Sequence, residues 1–216
     1  MNGTESKAEL ERGIAALGLN LSDRQIGSLM QYLELLARWN RTYRLTAVTE
    51  PSAMISRHLL DSLSVMPALG GHRIVDVGAG AGLPGVPLAV ASPDLSFVLL
   101  DSNGKKTRFM THAAGRLGLE NVHVAKARVE DYDGEGGFDT VISRAFANLP
   151  EFVRLAGRLC APGGRLVAMK GRLRSEELAG LPPGWQIAET RRLTVPGTKG
   201  ERHLVVIHRE PPATGT

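Results

Sequence analysis

The sequence predicts an α/β fold: a mostly parallel seven-stranded sheet with helices on both faces, a C-terminal antiparallel hairpin and an N-terminal helical extension. Three observations predict it. From Arg73 onward, short β-branched runs alternate with helical stretches, the pattern of parallel strands joined by crossover helices. The last two runs are separated only by Pro196 to Arg202, too short for a helical crossover, so they must pair antiparallel. The first 70 residues show only the three-and-four apolar spacing of helix faces. The chain therefore divides into a helical extension (1–70), an α/β domain (71–210) and a frayed tail (211–216).

In chain order, Leu10, Ile14 and Leu17 mark a short helix. Ser22 followed by Gln25 is a capping box. It opens a longer helix whose inner face carries Ile26, Leu29, Met30, Leu33, Leu36 and Ala37. Thr49-Glu50-Pro51 reads as another start, with a cap candidate, an early carboxylate and a proline where no N–H is missed. Ile55, Leu59, Leu63 and Met66 form its stripe. The strands are then 74–77, 97–101, 122–124, 139–143, 165–169 after the turn Pro162-Gly163-Gly164, 186–195 and 203–207. Helices fill 86–91, 104–117 and 149–159, the last ending near Cys160.

Composition narrows the class. The 216 residues are 43% hydrophobic with 25 glycines, which rules out a disordered chain. One cysteine excludes an intramolecular disulfide framework, and His112, His123 and His208 show no ligand spacing, so no metal is expected. No apolar run is long enough for a membrane span, and the polar start, Met1 to Glu11, lacks a signal's apolar region, so a cytoplasmic location is expected. A net charge of +4 and a pI near 9.5 allow a polyanionic partner. Aromatic content of 5% counts against a sheet that stacks single-stranded bases.

The stretch Asp76-Val77-Gly78-Ala79-Gly80-Ala81-Gly82-Leu83-Pro84-Gly85 carries the functional reading. Glycines after a first strand let the backbone turn sharply and approach a ligand, and the next helix is expected to aim free N–H groups into the same crevice. Asp101 ends the next strand, where a carboxylate can accept from ribose hydroxyls. An adenosine-containing cofactor follows. Two identities stay open at this point. Gly80 to Gly85 matches the dinucleotide pattern GxGxxG, which would suit an NAD-dependent oxidoreductase. The same glycines read as GxGxG with Asp76 two residues ahead. A carboxylate there suits a cationic amino group better than a pyrophosphate, which favours S-adenosylmethionine.

The chain resembles the RsmG (GidB) family, bacterial methyltransferases acting on N7 of a guanine in small-subunit ribosomal RNA. The resemblance rests on Arg57-His58-Leu59-Leu60-Asp61-Ser62-Leu63, on Asp76 through Leu88, and on Leu99-Leu100-Asp101-Ser102. It continues in Lys105-Lys106-Thr107-Arg108-Phe109, Arg128-Val129-Glu130, Phe138-Asp139, Ser143-Arg144-Ala145, Met169-Lys170-Gly171 and Arg202 to Ile207. One departure is Arg44, where the family usually has Asn before Leu-Thr. The resemblance implies a Rossmann-like S-adenosylmethionine-dependent methyltransferase fold. It implies that Gly78 and Leu83 line the cofactor loop, to which the glycine pattern itself adds Asp76, Gly80 and Gly82. Val129 and Glu130 would flank adenine, Asp101 would hold ribose, and Arg144 would stand beside the methyl-transfer centre. Plainer roles stand beside these: Val129 as core, Glu130 as a solvated carboxylate, Arg144 as an ion-pair partner of Asp139.

Guanine N7 has an in-plane lone pair and no proton, so its methylation needs no general base. Alignment and exclusion of water suffice, and the lack of a nucleophile or a His–carboxylate pair fits. Arg144 and Lys170 are the candidates to grip O6 or phosphate. Three basic groupings are candidates for RNA phosphates: Arg38, Arg41 and Arg44; Lys105, Lys106 and Arg108; and Arg165, Lys170, Arg172 and Arg174 with Arg202. The expected partner is small-subunit ribosomal RNA or its particle, and the expected state is a monomer. A methyltransferase for a non-RNA substrate is the nearer rival, and the basic groupings weigh against it.

Overall fold

The computed structural model describes residues 3–144, 146 and 148–210. The expected frayed tail, 211–216, lies outside the described residues, as does Ala145. Two helices open the chain, α1 (Gly3–Ala16) and α2 (Asp23–Tyr43). The capping box forms as expected: Ser22 Oγ accepts from the Gln25 N–H at 3.3 Å, and Gln25 Oε1 accepts from the Ser22 N–H at 2.9 Å. Ile26, Leu29, Leu33 and Leu36 are buried, each worth roughly 1.5–3 kcal/mol. Ala37, placed on that stripe, is exposed, and Tyr32 is buried instead. The helix ends at Arg44, whose φ of 50° makes it the one non-glycine residue with positive φ among those described. Asn tolerates that left-handed position better than Arg, so the departure at Arg44 falls where the backbone disfavours it.

The next helix departs from the expected start. Its cap is Glu50, whose carboxylate accepts from the N–H groups of Ser52 and Ala53 at 3.1 and 2.6 Å, leaving Thr49 outside. It runs as α3 (Pro51–Met54), a π-helical stretch (Ile55–Leu60) and a last turn α4 (Asp61–Leu63). Such π insertions widen the helix locally and recur at functional sites. This one carries Arg57 and His58 and leads into Asp61.

Seven strands follow among the described residues: β1 (Arg73–Val77), β2 (Ser96–Leu100), β3 (Val122–Ala125), β4 (Phe138–Ser143), β5 (Cys160–Lys170), β6 (Trp185–Arg192) and β7 (His203–Arg209). They lie in the order β3-β2-β1-β4-β5-β7-β6. β1 to β5 pair in parallel, while β7 pairs antiparallel with both β5 and β6. The expected sheet and hairpin are therefore present. β5 begins earlier than expected. Pro162–Gly164 lies inside it, at a register shift against β4 between Phe138 and Thr140, and Cys160 opens this strand rather than closing a helix. Helices α5 (Gly85–Ala91) and α6 (Gly104–Leu117) follow β1 and β2, and α7 (Leu149–Ala156) follows β4. A short α8 (Ser175–Ala179), not foreseen in the sequence, follows β5.

Alternate residues along each strand enter two apolar layers. Ile74, Phe97, Leu99 and Ile142 join the N-terminal helices, α5 and α6 on one face. Val75, Val77, Leu100 and Val141 join Phe152 and Val153 of α7 on the other. The chain leaves β1 toward β2 and β3, then returns to β4 on β1's other side. The carboxyl ends of β1 and β4 therefore flank a topological switch point, where open α/β sheets form a ligand crevice.

Candidate functional site

The loop from β1 to α5 is shaped by glycines with positive φ at Gly78, Gly80 and Gly82 (70°, 64° and 85°). Its N–H groups are turned inward. Gly78 and Ala79 donate to the Leu100 carbonyl, Gly80 to Asp101 Oδ2 (2.9 Å), and Gly82 and Leu83 to the Ala79 carbonyl. At the start of α5, Gly85 donates to Asp76 Oδ2 (2.8 Å) and Val86 to the Gly82 carbonyl. The expectation that this helix offers free N–H groups to the crevice is thus corrected: its first donors are used within the protein. The loop is also tied to α2, because the buried Tyr32 hydroxyl donates to the Ala81 carbonyl at 2.7 Å.

Asp76 is wholly buried, and its Oδ1 has no hydrogen-bond partner among the described residues. Burial pushes its carboxyl up to about 7, opposed by the Gly85 bond and the nearby Arg144 charge. Asp101 is nearly buried; Oδ1 accepts from the Asn103 N–H at 2.8 Å, and Lys106 Nζ stands 3.6 Å from Oδ2. Gly78, Gly80, Leu83 and Arg144 line one cleft of about 190 Å³ with Leu45, Thr46 and their neighbours. Gly82 does not line it. A Cβ there would meet Val86 Cγ2 at 2.6 Å, so this glycine serves loop-to-helix packing.

Val129 and Glu130 lie on the loop after β3, outside that cleft lining, Val129 half-buried and Glu130 exposed. Their backbone is clamped by Arg158, whose Nη2 donates to the carbonyls of Val129, Glu130 and Tyr132 at 2.7, 2.8 and 2.6 Å.

Arg144 extends from the end of β4 to a second cavity of about 360 Å³. Arg57, Arg202, Lys170, His203 and the buried Asp61 also line it. The Asp61 carboxylate holds two arginines: Oδ2 is 3.2 Å from Arg144 Nη1, and Oδ1 is 3.0 Å from Arg202 Nε. Asp61, not Asp139, is therefore the acid that pairs with Arg144. Asp139 instead accepts from the N–H groups of His72 and Arg73 at 2.7 and 2.8 Å, bonds that hold its carboxyl below the usual range. Lys170 lines the cavity but is ion-paired with Glu177 of α8 at 2.8 Å, so its charge is largely balanced. His58 is buried, with Nε2 3.0 Å from Thr46 Oγ1; burial, aided by Arg144, lowers it to about 4, so the ring is neutral.

Arg144 and Thr46 line both cavities, so the glycine-loop cleft adjoins the cationic one. Of the residues singled out in the sequence, Gly78, Gly80, Leu83 and Arg144 lie together on one cleft, which Gly82, Val129 and Glu130 do not line. The sequence reading left out Tyr32, Thr46 and Arg158, and it quoted Asp61 only as part of a matched block. Asp61 lies off the stripe of Ile55, Leu59 and Leu63, so apolar spacing carries no signal for it.

The chain matches the family described as rRNA small subunit methyltransferase G over residues 25–205. The ribosomal RNA small subunit methyltransferase G of Nitrosospira multiformis is 51% identical over 208 residues, covering 93% of this chain and 96% of that protein. Its counterpart in Nitrosococcus oceani is 52% identical over 196 residues, covering 91% and 92%. Among solved structures, a SAM-dependent methyltransferase from Aquifex aeolicus shares the fold, with a TM-score of 0.53 at 18% identity over 73% of this chain and 93% of that one.

Proposed function

The chain belongs to the rRNA small subunit methyltransferase G family, and from that premise we propose that it transfers a methyl group from S-adenosylmethionine to N7 of a guanine in small-subunit ribosomal RNA. The observation that carries this reading is the shared wall: Arg144 and Thr46 border both the glycine-loop cleft and the cationic cavity. Donor and acceptor can then meet across one side chain.

The residues present fit a sulfonium nucleoside better than a dinucleotide. The N–H groups of Gly78, Ala79, Gly80, Gly82, Leu83, Gly85 and Val86 are all donated within the protein, which leaves little to cradle a diphosphate. The unpartnered, buried Asp76 Oδ1 is instead an acceptor suited to an ammonium group. That preference sets aside the GxGxxG reading as an NAD site. In this proposal Gly78, Gly80 and Leu83 receive the ligand, Asp76 attracts its amino group, and Asp101 accepts from ribose. Val129 and Glu130 flank adenine on the loop that Arg158 fixes.

When bound, S-adenosylmethionine supplies an electrophilic methyl group on sulfonium sulfur. The protein's share of the work is alignment. Guanine N7 has no proton to lose, so no side chain need act as a base. His58, neutral and bonded to Thr46, fits a supporting role rather than proton transfer. Arg144 holds the purine by O6 or its phosphate while N7 stays free for in-line attack. Lys170, balanced by Glu177, contributes position more than net charge.

A thermal-shift comparison tests the cofactor. S-adenosylmethionine at one hundred times its Kd adds about 2.7 kcal/mol of stability, a rise of roughly 5–10 °C for a chain of this size. NAD at equal concentration leaves the midpoint unchanged. A shift with NAD and none with S-adenosylmethionine would overturn the proposal.

A further inference from the structure

Asp61 is nearly fully buried at the end of the π-helical stretch, yet both of its oxygens are committed to cations from distant parts of the chain. Oδ2 takes Arg144 from the end of β4, and Oδ1 takes Arg202 from the start of β7. Arg144 Nη1 also donates to the Arg57 carbonyl at 3.2 Å, and Arg202 Nη1 to the Glu201 carbonyl at 2.8 Å. None of these bonds uses Nη2 of either arginine, and both side chains line the cationic cavity. A buried carboxylate that splits its two oxygens between two guanidinium groups fixes their separation, and planar guanidinium groups fixed in this way keep directed donors.

We infer that Asp61 is a positioning residue for methyl transfer: it holds Arg144 and Arg202 side by side, so that both present Nη2 donors to the incoming nucleotide. This rests on the proposed function, because it assigns the cationic cavity to the RNA substrate. It goes further by dividing the site's electrostatics into attraction, which the cations supply, and registration, which a buried anion supplies.

The two roles predict opposite signs. Deleting a negative charge from a cavity lined by Arg57, Arg144, Lys170, Arg202 and His203 strengthens its general pull on phosphates. If Asp61 only tempered charge, Asp61→Asn would bind RNA more tightly and transfer methyl at least as fast. If Asp61 registers the arginines, the same variant transfers methyl more slowly despite equal or tighter RNA binding.

The experiment compares wild-type protein, Asp61→Asn, Arg202→Met and the double variant, using unmodified small-subunit particles and labelled S-adenosylmethionine. Transfer rate, particle affinity and S-adenosylmethionine Kd by calorimetry are read separately. The expected result is a tenfold or greater loss of transfer in Asp61→Asn, with particle affinity not reduced and S-adenosylmethionine Kd within twofold of wild type. In the Arg202→Met background, Asp61→Asn costs distinctly less, because one of its two clients is gone. Wild-type transfer rates in Asp61→Asn, or fully additive losses, would overturn the inference. Should Asp61→Asn fail to fold, Arg202→Lys decides. A held fork is not replaced by a point charge, so Arg202→Lys should be as slow as Arg202→Met, and full rescue by Lys would overturn the inference. Failure of wild-type protein to transfer any methyl would instead count against the proposed function itself.

Discussion

The glycine-loop cleft and the cationic cavity share a wall but are built by opposite means. The cleft is made of backbone: the N–H groups of residues 78–80, 82–83 and 85–86 bond to carbonyls of the same loop, to Leu100 and to the carboxylates of Asp76 and Asp101. The cavity is made of side chains: Arg57, Asp61, Arg144, Lys170 and Arg202 come from four segments spread over 145 positions and meet around one buried acid. A cofactor of fixed shape suits a rigid backbone cradle, whereas a polyanionic substrate suits long cationic arms. The two halves of the reaction should therefore fail separately when mutated.

The largest separation is expected at the shared wall. Arg144→Ala removes a donor from the cavity and leaves Asp61 with one cation, and transfer should fall about 100-fold. S-adenosylmethionine affinity should fall by no more than a few-fold in calorimetry, since Arg144 only borders the cleft. Unchanged values of both would remove Arg144 from the site.

Asp76→Asn breaks the other half. It keeps an acceptor for the Gly85 N–H but loses the charge, so S-adenosylmethionine Kd should rise about tenfold while particle affinity holds. Stability should move the other way. The folded Asp76 carboxyl is raised to about 7, so its favourable contribution is complete below about pH 4 and is lost as pH climbs through 7. Measured against wild type by chemical denaturation, Asp76→Asn should therefore gain relative stability between pH 4 and 7 and level off above. His58 has the opposite sign. Its folded value is lowered to about 4, so its contribution is complete above about 6.5 and is lost as pH falls through 4.

Salt separates the halves without mutation. RNA binding by several arginines should weaken by orders of magnitude between about 50 and 200 mM salt, while S-adenosylmethionine binding stays nearly flat. Particle affinity that did not respond to salt would contradict the substrate role of the cavity. The smallest effect lies in neither region. Arg44→Asn relieves a left-handed residue and should add about 0.5–1 kcal/mol of stability in denaturant titration.

Legibility in the sequence follows the same division. The sheet was legible because its central strands carry short apolar runs, such as Phe97 to Leu100 and Leu166 to Met169, and the hairpin because seven residues cannot hold a crossover helix. The glycine loop was legible because its glycines recur at 78, 80, 82 and 85 directly after a strand, and Asp76 and Asp101 sit at strand ends. Its internal bonding was not: no spacing rule reveals that the Gly85 and Val86 donors turn inward. The cavity was only partly legible. Arg144 and Lys170 lie at strand ends, but their acids, Asp61 and Glu177, are 83 and seven positions away, and α8 leaves no apolar stripe to mark it. Nothing in local spacing marks Tyr32, whose hydroxyl finds the Ala81 carbonyl 49 positions away.

The most direct test of the central claim is to map the labelled methyl group on small-subunit particles that lack the modification, after incubation with the protein and S-adenosylmethionine. One labelled guanine, methylated at N7, is expected, with labelling about 100-fold slower when Arg144→Ala replaces wild type under matched conditions. Label on another atom or another class of molecule, or none from a protein that binds both ligands, would contradict the claim.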